Sequence, residues 1–319
     1  MLNGMFGDVL HERRSPLAVP MTLRCGGAQV RIGRENLAEG LGDVTGAVCV
    51  FVPGLMSGDH IWRFPGQAGT TYGSRLASDR DVTPVFVGYN SGRHVWHNGA
   101  ELALSLEALA GAWPVALDEV NLVGHSMGGL VIRSASHYGR LHGHGWVDKL
   151  RRVFLLGAPL SGTPLEKLLH LADVTLTTIP NPVTRIVGRA LRRRSAGVKD
   201  LRFGALVEDD WPGGDPDALR WPQRTAVPVV PTADHYVIVG MLAGGGDHLA
   251  AQLLGDPLVT GFSATGRTLT TGGFGLVSAA HVRTVPGVGH LALAHHDDVY
   301  GQILAWWNGS PDVPAARSG

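Results

Sequence analysis

The chain has 319 residues, and its 27 Lys and Arg are balanced by 27 Asp and Glu, so the formal net charge is zero. That balance gives no global electrostatic reason to bind nucleic acid, and two cysteines are too few for a disulfide framework. No apolar run is long enough to span a membrane, and Met1–Arg14 lacks the apolar core of a secretory signal; the chain as it stands reads as cytoplasmic, although a signal removed beforehand would leave the same sequence.

The length fits one α/β domain over residues 1–319. Met1–Pro20 is mixed and reads as a loose lead-in. Val19–Leu23 and Ala28–Ile32 read as two early strands, and Glu35–Glu39 as a polar connection. Gly46–Val52 is the first strong buried strand, with Cys49 inside it. It runs into Pro53-Gly54-Leu55-Met56, a loop placed for the carboxyl edge of a sheet, where open α/β sheets bind ligands. Trp62–Gly73 either lines a pocket or covers the core. Asp81–Tyr89 holds the next strand, and Asn90–His94 a polar loop. Asn98 is placed to cap a helix through Ala112, with Leu102, Leu106 and Leu109 on one stripe.

Val120–Val123 is a buried strand, Met127–Tyr138 a helix, and Arg152–Gly157 another strand. Strand and helix alternating at this spacing predict an α/β fold with a mostly parallel sheet covered on both faces. Leu165–Trp221 breaks the rhythm. Residues 165–222 read as an inserted cap: a helix over Leu165–Leu176, a stop at Ile179–Pro182, and a second helix over Val183–Leu191 that closes on Arg192–Arg194. Such a basic, partly apolar helix can make transient contact with a lipid surface, although a solvated face is the commoner meaning of a charge run. Tyr236–Gly240 resumes the sheet, His281–Val285 is its last strand, and Asp297–Trp307 is a closing helix.

Between the Val120 strand and its helix stands Gly124-His125-Ser126-Met127-Gly128. This G-x-S-x-G pattern, in a strand–turn–helix setting, raises a serine on a sharp, strained turn above the sheet. Gly124 and Gly128 let the two backbones pass closely. Met127 opens the helix, so its N–H can meet a developing oxyanion. The Leu55 N–H is the candidate second donor; an ordinary Pro-Gly turn is the alternative.

A serine hydroxyl needs a base beside it and a group to orient that base. In this setting the chain order is serine, acid, histidine. His290 follows the last strand in a glycine-flanked loop and fits the base. His295 and His296 sit at the start of the closing helix, and His281 projects from the wrong end of its strand. Asp256 lies between the last two strands and is the candidate acid. Asp247 is closer to the strand end and stays open; Asp234 precedes the strand, at the wrong edge. His125 is too near Ser126 in sequence to serve as base and reads as packing or orienting. His295-His296-Asp297-Asp298 diverge around a helix axis, so no metal site is expected. No cofactor is expected either.

The chain resembles the α/β-hydrolase superfamily, in particular lipase-like serine esterases grouped with bacterial triacylglycerol lipases and PGAP1-like proteins. The resemblance is carried by Phe51-Val52-Pro53-Gly54-Leu55, Gly124–Gly128, Leu156–Pro159 with Ser161–Pro164, Gly255–Val259 and Gly289-His290-Leu291. It implies Ser126 as nucleophile, Asp256 as acid and His290 as base, with Leu55 and Met127 as oxyanion donors. Pro53 stands where many lipases have histidine, and Pro257 where the acid loop has glycine. Ala292 occupies the position of a calcium-binding aspartate, so calcium is not carried over. The implied activity is hydrolysis of a small-molecule or lipid carboxylic ester through an acyl-enzyme. An acyltransferase with the same triad and a noncatalytic ligand-binding protein are the alternatives.

Overall fold

The computed structural model describes residues 2–160, 195–211, 225–241 and 281–310. An eight-stranded sheet organises them: β1 (Thr22–Cys25), β2 (Ala28–Val30), β3 (Ala47–Val52), β4 (Thr83–Gly88), β5 (Glu119–His125), β6 (Leu150–Leu156), β7 (Asp234–Met241) and β8 (Val282–Pro286). The strand order is β2-β1-β4-β3-β5-β6-β7-β8. From β4 to β8 every neighbouring pair is parallel, while β1 runs antiparallel to both β2 and β4. The β1–β2 turn is tight because Gly26 and Gly27 both take positive φ, 57° and 87°.

Strand β3 shows why the runs are apolar throughout rather than alternating. Val48, Val50 and Val52 pack on one face with Leu102, Leu106 and Leu109 of α4 (Val95–Ala112) and Leu130 and Val131 of α5 (Met127–Leu141). Cys49 and Phe51 pack on the other with Tyr72 and Leu76 of α3 (Tyr72–Arg80) and Ile303 and Trp306 of α7 (Asp297–Trp307). Helices on both faces leave a central parallel strand no solvated side. The second face is aromatic: Phe51 stacks on Phe86 at 5.0 Å and meets Trp62 edge-on at 5.2 Å, and Tyr236 stacks between Phe154 and Trp306. Trp62, fully buried, thus covers the core.

Three local expectations are corrected. The lead-in is not loose: Leu2–Glu12 forms helix α1, whose Gly4 and Gly7 are buried against the body. The polar connection at Glu35–Glu39 lies inside α2 (Arg34–Leu41), which buries Leu37 alone. Asn98 does not cap α4. That helix begins at Val95, whose N–H is taken by the carboxylate of Asp200, and Asn98 donates to the carbonyls of Asn90 and Arg93 instead. Asp200 belongs to α6 (Ala196–Phe203), part of the cap stretch; the rest of 165–222 lies outside the described residues except up to Trp211.

His125 and His235 are buried, and burial is the main cause that pushes each down to about 4 from an unfolded value near 6.5, with Arg133 adding to the effect on His235. The folded chain therefore binds fewer protons than the unfolded chain between those values, and stability falls as pH falls through that window. Each shift is worth up to about 3 kcal/mol. Thermal melts should show a flat midpoint above pH 6.5 and a decline toward pH 4 that is shallower in His235→Gln. A midpoint unchanged down to pH 4 would refute the assignment.

Candidate active site

Strand β5 delivers Ser126 to the carboxyl edge of the sheet, and α5 begins one residue later. Ser126 sits at φ 55° and ψ −123°, in a region that residues with a Cβ seldom occupy. Such a backbone costs on the order of 1–3 kcal/mol and persists only where its surroundings dictate it. Here the Ser126 N–H donates to the Leu156 carbonyl of β6 at 2.8 Å, and its carbonyl accepts the Gly129 N–H at 3.0 Å. The start of α5 runs against the end of β3: a Cβ on Gly128 would lie 2.1 Å from the Val52 carbonyl oxygen, and one on Gly124 would lie 2.7 Å from the Gly129 backbone. Both glycines thus do what the spacing predicted.

A strained serine between a parallel strand and the N-terminus of a helix, at the centre of this strand order, has the backbone geometry of a nucleophile elbow. The fold is that of the α/β-hydrolases. No protein-family model matches the chain, and no curated protein matches it. Among solved structures it is similar to a lipase of Bacillus licheniformis in its mature form, at 18% identity over 84% of this chain and 94% of that one, with a TM-score of 0.47. A thermophilic esterase from Thermogutta terrifontis is 14% identical over 83% of this chain and 91% of that one, at a TM-score of 0.42. Lipase B of Aspergillus fumigatus is 11% identical over 92% of this chain and 61% of that one, at 0.47. Identities this low say nothing of substrate.

The Pro53–Met56 loop of this α/β-hydrolase fold lies directly against the serine. A Cβ on Gly54 would stand 2.9 Å from Ser126 Cβ and 3.2 Å from His125 Nδ1. The loop is pinned from outside. The Tyr89 hydroxyl donates to the Pro53 carbonyl at 2.7 Å, and the Met56 N–H donates to Ser91 Oγ at 3.0 Å. Met56 itself takes φ 58°. Among the described residues no acceptor takes the N–H of Leu55 or Met127. Tyr89 and Ser91 carry no sequence signal of this role, because a loop contact across the sheet has no periodicity.

His290 stands in the loop between β8 and α7. A Cβ on Gly157, the residue after the Leu156 that holds Ser126, would lie 2.9 Å from His290 Nδ1. The fold therefore brings Ser126 and His290 to the same end of β6. His125 Nε2–H donates to the His290 carbonyl at 2.9 Å, and the two rings lie 4.9 Å apart. His125 orients the loop, as expected, through its backbone. Burial, with His125 as a smaller cause, pushes His290 down to about 3, so its ring is neutral over the ordinary pH range. Its Nδ1 is buried with no partner among the described residues.

The rival histidines are otherwise engaged. His295 Nδ1–H donates to the Ile61 carbonyl at 2.8 Å, and His296 Nδ1 accepts the Asp298 N–H as the cap of α7. His281 precedes β8, with its ring on Tyr236. Asp234 is the first residue of β7, at the amino edge. Asp256 and Asp247 lie outside the described residues. Among the described residues no cluster of three or more His, Cys, Asp or Glu could hold a metal ion.

A substitution pair checks the elbow. Gly128→Ala, which must displace the Val52 carbonyl, should cost about 3 kcal/mol in denaturant unfolding. Gly111→Ala, in α4 with open space at its Cβ, should leave stability unchanged or raise it by about 0.5–1 kcal/mol. Equal effects from the two would count against the close approach.

Proposed function

We propose that the chain is a serine carboxylic ester hydrolase in which Ser126 attacks, His290 is the base and Asp256 the acid, with the N–H groups of Leu55 and Met127 holding the oxyanion. The observation that carries the reading is the strained backbone of Ser126, at φ 55°, turned above the sheet at the strand end that also holds His290. His290 takes the hydroxyl proton as Ser126 Oγ bonds to the ester carbonyl carbon. The carbonyl oxygen becomes an oxyanion between the two N–H groups, each worth roughly a hundredfold or more in rate. The intermediate collapses, and the alcohol leaves with the proton from His290. Water, deprotonated by the same ring, then releases the acid and restores Ser126. Among the described residues the buried Nδ1 of His290 meets no partner, which supports a carboxylate there, since a buried ring N–H left unmet is costly. The substrate is a small-molecule or lipid ester, and the cap over 165–222 is proposed to shape the pocket for it.

The assay is hydrolysis of p-nitrophenyl esters of graded chain length. Ser126→Ala should abolish turnover, and added acceptor alcohols should divert little of the acyl group from water. Full turnover by Ser126→Ala would end the proposal.

The same assay separates the two acids. A carboxylate beside His290 raises it above the value of about 3 that burial and His125 alone impose. Activity is lost as pH falls through the titration of His290. Asp256→Asn should therefore move the acid limb of kcat/KM to lower pH and lower the plateau by about ten-thousandfold, while Asp247→Asn leaves both in place. The reverse pattern would transfer the role to Asp247.

A further inference from the structure

Helix α1 is packed inside out. Its 11 residues bury Gly4, Met5 and Gly7. Gly4 lies on Met56 and Gly7 on Asn90, where the Gly7 carbonyl accepts from Asn90 Nδ2. Ser195 Oγ donates to the Gly4 carbonyl, and Asp8 accepts the Ala196 N–H, which completes the inner seam. The outer face carries Leu2 and Val9, 44% and 40% exposed, with half-buried Phe6 and Leu10 between them. At 100° per residue these four and Arg13 form one stripe, and Glu12 falls off it. After the helix the chain folds back. Asn3 donates to the Leu17 carbonyl and accepts the Val19 N–H, which lays Leu17 and Val19, 59% and 43% exposed, beside the first turn. A surface helix ordinarily turns its apolar residues inward. This one builds its inner seam from Gly4, Met5 and Gly7 and leaves Leu2 and Val9 in water, with exposed Arg13 and Arg14 at one end.

We propose that the outer face of α1, with the Leu17–Val19 segment, docks the protein reversibly on an anionic lipid surface. A second copy of the chain is disfavoured by area. One face of a helix about 16 Å long and about 10 Å across covers on the order of 160 Å², and the three residues of the Leu17–Val19 segment beside it leave the whole far short of the roughly 800 Å² per partner in a stable interface. A lipid surface has no such requirement, because each apolar side chain that enters it contributes separately and adjacent arginines add attraction to acidic headgroups. The inner seam of the same helix lies on Met56, so docking holds the Pro53–Met56 loop about 10 Å, one helix diameter, behind the lipid surface; that consequence alone rests on the proposed function.

The test is flotation of the full chain with vesicles of phosphatidylcholine mixed with phosphatidylglycerol, and with phosphatidylcholine alone, scored without turnover. Wild type should float with the mixed vesicles and less with the neutral ones. Leu2→Gln/Val9→Gln should lose roughly tenfold or more of its partitioning. Arg13→Gln/Arg14→Gln should lose roughly thirtyfold at low salt and bind both vesicles alike. Each variant should keep the wild-type melting midpoint and short-ester turnover, since none of these side chains touches the proposed site. Wild type that fails to float, variants that float like wild type, or a wild-type dimer in sedimentation equilibrium that the variants dissolve would each overturn the proposal. An inactive protein that still floats would sink the hydrolase reading and leave the docking surface standing.

Discussion

The end of β3 and the start of α5 cannot both occupy their positions with a side chain between them. The Val52 carbonyl oxygen stands 2.1 Å from where a Gly128 Cβ would be, and this close approach forces the reversal at Ser126. The reversal is held by two backbone hydrogen bonds, one to β6 and one into α5. Strand β6 in turn places Gly157 against His290, and Gly54 meets the serine from β3. Three neighbouring parallel strand ends, those of β3, β5 and β6, therefore meet at Ser126. A strained backbone persists only when the rigid layers around it supply the energy, and here the two buried faces of the sheet do so.

Among the described residues, electrostatics around that point are set by burial. His125 and His290 lie ring to ring, both held neutral by burial; His125 further disfavours the charged form of His290, while the His290 carbonyl offsets part of the effect of burial on His125. A neutral imidazole is the form that accepts a proton. A neutral imidazole at about 3 is also a weak base, so useful base strength at neutral pH requires a negative group on Nδ1. In the proposed mechanism the acid restores the basicity that burial removes.

Legibility in the sequence followed how each element buries its residues. Strands β3 and β5 were readable because central parallel strands are apolar on both faces, and α7 because its buried Val299, Ile303 and Trp306 keep helical spacing; its bounds, Asp297–Trp307, match the reading. Helix α1 was not readable as a packed element, since glycine makes its inner seam and leaves no apolar stripe pointing at a core. The start of α4 was misplaced because Asp200, far away in sequence, supplies its cap. Of the candidate site, the strained turn at Ser126 was legible from its glycine spacing, and the loop position of His290 from its place after the last strand. The pins on the Pro53–Met56 loop, Tyr89 and Ser91, were invisible, because contacts across a sheet edge leave no local pattern.

The central claim is that the fold makes Ser126 a nucleophile. The most direct measurement is peptide mass spectrometry of the folded chain after treatment with a fluorophosphonate. The account predicts one adduct per chain, on Ser126, that forms in the native protein and is absent after unfolding. An adduct on another residue, or a folded wild-type chain that takes up none, would contradict it.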